Sequence, residues 1–278
     1  MMWAMSRKNY FERLGKIPEE RLSLAEAALH IAEEEYPDLP ISEYVGMLDT
    51  WARELKKKRT KAPAQVQIAR INDHLFGRLN FSGNTENYYD PKNSYLNEVI
   101  DRRKGIPITL SVIYLELAWS LGLDAAGIGI PSHFMVRIMV EGEPLYIDPF
   151  HQGNVLTVEG IKNFLEEATQ GTVELQPGYL TAMTKRQILT RMLRNLKGIF
   201  LEQKNFTKTI QIIDKLIVLN PDVPEEVRDR GIVYYQMQAF RKALSDFELF
   251  LSLAPDSQDA DVICQYMEIL REYTSHLN

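Results

Sequence analysis

The segment ITLSVIYLELAWSLG, Ile108 to Gly122, is an apolar helix with almost no polar face, and three short runs rich in β-branched and aromatic residues follow it directly. A helix of this kind has to be covered on all sides. The runs are AAGIGI (125–130), HFMVRIMV (133–140) and PLYIDPF (144–150), and EGEP between the second and third reads as a hairpin turn. Together they predict a helix packed on a small antiparallel sheet, an α+β arrangement.

Helices are expected on both sides of this core. LAEAALHIAEEEY (24–36) and ISEYVGMLDTWAREL (41–55) repeat apolar residues at three and four, with Pro37 and Pro40 in the gap. A further helix should run from Pro63 through QVQIARINDHLFGRL and end near NFSGN (80–84), whose Gly and Asn tolerate positive φ. From about Thr184 the helices return with an internal period: Pro221 and Pro255 are 34 residues apart, the period of tetratricopeptide repeats. Gly231, Tyr234, Ala243, Phe247 and Pro255 take the small, aromatic, small, aromatic and proline positions. Leu196, Phe200, Thr209, Ile213 and Pro221 are their degenerate counterparts. The last segment, DADVICQYMEILREYTSH, is expected to be the capping helix of this short array, with Cys264 on its apolar face beside Val262, Ile263 and Met267. The predicted organisation is a mostly helical α+β domain over 1–180 (helical over 1–90, α+β core over 91–180), followed by an all-α repeat domain over 181–278.

Charge and composition narrow the partners. With 278 residues and a net charge of −6, the chain has room for about two domains and no global attraction to nucleic acid or anionic membrane. Its one cationic run, RELKKKRTK (53–61), reads as a solvated helix end. A single cysteine excludes an internal disulfide and a multi-cysteine zinc site, and fits a reducing compartment. No leader-like apolar core opens the chain and no window of about 18 apolar residues occurs in it, so a cytoplasmic location without membrane insertion is expected. The expected partner is a protein bound through the repeats; no cofactor is expected.

His133 opens one strand and Asp148 closes the next, so a hairpin can bring them together as a base and its orienting carboxylate. The order of helix, His strand and Asp strand resembles the core of the transglutaminase-like (papain-like) superfamily. Within it, the block NFSGNTENYYDPKNSYLNEVIDRRKGIPITLSVIYLELAWSLGL (80–123), with GIGIPSHFMVRI and LYIDPF, is similar to the SirB1-like proteins, the transglutaminase-like core-2 family. The resemblance spans about Glu26 to Phe150, and members commonly end in tetratricopeptide repeats. It implies a catalytic cysteine position at about Pro107, which carries no nucleophile. This branch typically lacks the cysteine while keeping His and Asp, and implies little about activity. Ser132 departs from the glycine expected before the histidine.

Among hydroxyls near Pro107, helical geometry turns Thr109 away by about 200° and Ser111 by only about 40°. Ser111 is thus the candidate nucleophile, set against a plain helix residue bonded to the carbonyl four back. His151 could join His133 and Asp148 around a metal, but its place in PFHQGN reads as simple exposure and no metal site is expected. Asp90, Asn93, Asn97 and Arg103, with Asp101 and Arg102 beside them, form either a buried polar network or the wall of a peptide groove, with Asn93 as N-cap of SYLNEVIDRR and Tyr88, Tyr89 and Tyr95 as an aromatic rim. The expectation is a non-catalytic transglutaminase-like scaffold, regulatory or assembly factor. The alternative is a hydrolase or acyltransferase with a hydroxyl nucleophile and the His133–Asp148 pair.

Overall fold

The computed structural model describes residues 8–56 and 62–275, without the side chains of residues 8, 9 and 273–275. The stretch 1–7 and the basic residues 57–61 lie outside the described residues. The chain divides into two compact units, one from Ile17 to Met192, the other combining the residues up to Lys16 with those from Leu193 onward. Helix α1 (Lys8–Leu14) belongs to the second.

The first unit holds helices α2 (Leu24–Ile31), α3 (Ile41–Lys56) and α4 (Ala64–Asn72). Ser23 caps α2 by accepting from Glu26 N at 3.3 Å. The helix predicted to reach Tyr36 stops at Ile31 and tightens into a 3₁₀ turn, Ala32–Glu34. Helix α4 widens into a π turn over Asp73–Arg78, a change that period counting cannot see. In NFSGN it is Asn80 that takes the left-handed conformation, at φ 56°, whereas Gly83 does not. Gly83 serves close approach instead: a Cβ there would lie 2.6 Å from the ring of Phe150. Two short strands, β1 (Ser82–Gly83) and β2 (Lys104–Gly105), pair in parallel and flank α5 (Leu96–Arg102).

Helix α6 (Pro107–Ser120) is the apolar helix, buried from Pro107 to Leu115 and again at Leu117 and Ala118. Pro107 sits where a missing N–H leaves no bond unmade. Strands β3 (Ala125–Ile130), β4 (His133–Val140), β5 (Glu143–Asp148) and β6 (Asn154–Leu156) form one antiparallel sheet in sequence order. Glu141 and Gly142 both have positive φ, as a two-residue hairpin turn requires. Met135 and Tyr146 join Ile128 and Ile130 in an apolar cluster closed by Ile161 of α7 (Val158–Thr169). The result is a mostly helical unit around a small antiparallel sheet, as the sequence predicts.

Glu116 is the charged exception on α6. Its Oε1 accepts from Ala25 N at 2.9 Å, at the start of α2. Burial raises its pKa, an effect that the Ala25 N–H and Lys185 only partly offset. A raised folded value means that ionisation destabilises the fold above the unfolded value of about 4.3. Glu116→Gln keeps the acceptor, so its thermal midpoint should exceed wild type at pH 7 and match it below about pH 4. Equal midpoints at both pH values would refute this.

The second unit holds α8 from Leu193 on (the helix runs Lys185–Glu202), α9 (Phe206–Leu219), α10 (Pro224–Gln236), α11 (Phe240–Leu253) and α12 (Ala260–Ser275). Helices α9 to α12 pack successively on one another, and α1 packs on α9 with Phe11 and Leu14 buried. Gly231 is a point of close approach, where a Cβ would meet the Phe247 ring at 2.6 Å. Leu196, Phe200, Thr209 and Ile213 are all buried at the matching positions of the first copy. Buried Glu226 is paired with Arg194 and Lys197, and Asp246 with Arg230, so neither carboxylate is left uncompensated. Cys264 departs from expectation: it is exposed. The buried stripe of α12 is Ile263, Met267 and Leu270, and one residue beyond Ile263 turns by about 100° out of it. Val262, at 50% exposure, lies outside it too. Among the described residues no helix is long and apolar enough to cross a membrane.

Candidate active site

The site is built on the β3–β4 turn and the end of β5. Ser132, at φ 59°, makes the turn left-handed, and Ile130 then faces His133 across the strand pair. Arg191 of α8 fastens this turn from behind, its Nη2 donating to the carbonyls of Ile130 (2.9 Å) and His133 (2.8 Å). Gly129 leaves room for that guanidinium, since a Cβ would lie 2.6 Å from Nη1. Nothing local in the sequence marks Arg191, which lies 58 residues beyond the histidine it fastens.

Asp148 ends β5, and its carboxylate is divided between two tasks. Oδ1 accepts from the backbone N–H of Phe150 (3.0 Å) and His151 (3.3 Å), which folds the chain back in an Asx-type turn. Oδ2 bonds to both His133 Nε2 at 2.8 Å and His151 Nδ1 at 2.7 Å. Burial by itself would raise the Asp148 pKa; bonds to the two imidazoles and their charge outweigh it, and the carboxyl is held below its ordinary value. His133 and Asp148 are buried, while the His151 side chain is 48% exposed. Sequence reading leaves His151 as a merely exposed residue; the structure bonds it to the same oxygen as His133. Its spacing of three from Asp148, across a Pro–Phe turn, is the sequence signal of this bond.

Aromatic rings enclose the buried imidazole. Phe164 of α7 lies 4.8 Å from the His133 ring and Phe150 lies 6.0 Å away. Tyr88 backs Phe150 at 6.0 Å, and burial raises its pKa. Tyr89 is largely exposed, whereas Tyr95 is buried against Tyr36 at 5.8 Å and belongs to the core rather than to a rim.

The hydroxyls near Pro107 differ in what they bond. Thr109 Oγ1 donates to Asn93 O at 2.8 Å and accepts from Ile106 N at 3.2 Å. Ser111 Oγ is buried with no hydrogen-bond partner, so the bond to the carbonyl four back is not made. Asp90, Asn93 and Arg102 lie in one network: Asn93 Oδ1 accepts from Asn84 (2.9 Å) and Arg102 (3.0 Å), and Asp90 Oδ2 accepts from Arg102 (3.2 Å). Asn93 is not the N-cap of α5; Tyr95 holds that place, because the Asn93 amide is turned inward to the carbonyls of Asn87 and Tyr88. Asp90 does cap, for the 3₁₀ turn Pro91–Asn93, by accepting from Lys92 N. Asn97 Oδ1 and Arg103 Nη1 are buried without partners, the Arg103 guanidinium lying 4.9 Å from both Trp51 and Phe81.

A family model described as the transglutaminase-like superfamily matches residues 42–194, and a tetratricopeptide-repeat model matches 196–268. The UPF0162 protein of Xylella fastidiosa (strain Temecula1) is 34% identical over 257 residues, 91% of this chain and 92% of its own. The UPF0162 protein of Vibrio cholerae is 32% identical over 184 residues, 66% and 68% of the two chains. Protein SirB1 of Salmonella typhimurium is a more distant relative, 25% identical over 198 residues, 71% and 73% of the two.

Proposed function

The chain belongs to the transglutaminase-like superfamily, and from that premise we propose that it is a hydrolase or acyltransferase in which Asp148 orients His133 as the base for a hydroxyl nucleophile. The observation that carries this reading is the single oxygen, Asp148 Oδ2, lying 2.8 Å from His133 Nε2 and 2.7 Å from His151 Nδ1. With its Nε2 proton directed to Asp148, His133 keeps its lone pair on Nδ1. That nitrogen takes the hydroxyl proton as oxygen attacks the acyl carbon, and returns it to the leaving group. Water then repeats the sequence and frees the acyl group.

Ser111 is the chain's own candidate for that hydroxyl. An unbonded buried O–H costs about 1–3 kcal/mol, and Thr109, two residues earlier, is already committed to Asn93. Since Ser111 Oγ is covered, acylation also requires its cover to part. A serine-reactive phosphonate should label the wild-type chain, and Ser111→Ala and His133→Ala should each reduce labelling at least about a hundredfold. Undiminished labelling of Ser111→Ala would remove Ser111 from this role.

The second reading is a non-catalytic scaffold, favoured by Pro107 at the place where the superfamily resemblance puts the nucleophile. Tetratricopeptide repeats generally mediate contacts between proteins, and on either reading the repeats bring a protein partner to the chain. The lone cysteine fits a cytoplasmic setting. A folded wild-type chain that takes up no phosphonate would favour the scaffold.

A further inference from the structure

We propose that His133, Asp148 and His151 form a binding site for a borderline divalent cation of the zinc or cobalt type, a role that goes beyond the proton-transfer reading and does not rest on it. One donor atom from each of the three side chains lies within 4.8 Å of those of the other two, and Asp148 Oδ2 is 2.8 Å from His133 Nε2 and 2.7 Å from His151 Nδ1. Two imidazole nitrogens and one carboxylate oxygen hold such ions with a fourth position left for water. Calcium and magnesium prefer sites made of oxygen alone.

The surroundings are arranged as a metal site requires. Asp148 Oδ1 is held by the N–H groups of Phe150 and His151, which fixes the carboxylate with Oδ2 turned to the two imidazoles. Phe150 and Phe164 give the buried side an apolar shell. The fourth side is reached past His151, whose side chain is half-exposed. Behind the turn, Asn72 Nδ2 donates to Gly153 O at 2.8 Å, and Tyr114 donates to Asn72 Oδ1 at 2.9 Å. The backbone two residues beyond His151 is therefore anchored.

Some adjustment is needed. Two donors at about 2.1 Å from one ion are at most about 4.2 Å apart, so the set has to close by several tenths of an ångström. The ion also takes the place of the two protons now shared with Oδ2, and each neutral imidazole moves its proton to its other ring nitrogen by exchange with solvent. With an ion on Nε2, His133 carries its remaining proton on Nδ1 and can no longer act as a base, so a loaded site is silent toward the phosphonate.

Tag-free full-length protein, stripped with a chelator and titrated with cobalt(II), tests the site. One equivalent should bind with the visible d–d bands of a low-coordinate nitrogen and oxygen site, and zinc should displace it. His151→Ala and Asp148→Asn should each weaken binding at least about tenfold. His151→Ala is the decisive variant, because its half-exposed side chain can be removed without opening the core; circular dichroism would verify its fold. Absence of the bands, or wild-type affinity in folded His151→Ala, overturns the proposal. Labelling without cobalt binding refutes the ion site alone, and cobalt binding without labelling of the stripped protein refutes the base alone.

Discussion

Asp148→Ala should lower the thermal midpoint of the 17–192 unit by roughly 10 °C, more than any other single change at the site. One buried carboxylate accepts four hydrogen bonds, from two backbone N–H groups and two imidazoles. Bonds to a charged group are each worth about 1.5–3 kcal/mol, and bonds sharing one acceptor are not additive. A net loss of about 3–5 kcal/mol follows, and a unit of this size shifts by about 2–4 °C per kcal/mol. Asp148→Asn separates stability from chemistry. Its carbonyl can still accept the backbone bonds, but its amide then directs N–H groups at the imidazoles and reverses their tautomers. That variant should lose less stability than the alanine and nearly all labelling. A midpoint for Asp148→Ala within about 2 °C of wild type would show that the two imidazoles need no common anchor.

Phe247→Ala should destabilise the repeat unit by about 3–5 kcal/mol. The ring is fully buried among Val227, Ala243, Phe250, Ile263 and Met267, and it lies against the bare backbone of Gly231. Gly231→Ala approaches the same contact from the other side: its methyl would overlap the ring and cost about 1–3 kcal/mol. In the double variant the methyl occupies space that the ring has vacated, so the two losses should sum to more than the observed loss. Denaturant melts of the four proteins close the cycle. Strict additivity would mean that the small and aromatic positions of the repeat are independent of each other, against the reason given for their pairing.

The parts of the fold legible in the sequence are those with a regular period. Helix α6, strands β3 to β5, their hairpin and the repeat helices all announce themselves through apolar spacing. The His133–Asp148 pair is legible too, because antiparallel register brings the start of one strand beside the end of the next. What stayed hidden depends on contacts between distant residues or on a small rotation. Strand β6 is only three residues long, two of them exposed, and shows no alternation to read. Cys264 lies one residue beyond Ile263, about 100° outside the buried stripe of α12. Asn93 has the composition of a cap, yet Asn84 and Arg102 draw it inward. Arg191 and the Gly129 cleft that receives it are far apart in the chain, and neither has meaning without the other.

Helix α1 has a consequence for how the chain is made. Phe11 and Leu14 are buried in the unit that begins again only at Leu193, and Gly15 lies against the carbonyl of Val218 on α9. At about 5–20 residues per second, α1 leaves the ribosome about 10–40 s before its partner helix does. During that interval the residues that follow it can fold, while two apolar side chains wait in water for a surface not yet synthesised. A chain halted anywhere before α9 lacks the helix on which α1 packs, so the burial of Phe11 and Leu14 seen here is completed only once synthesis passes Phe206.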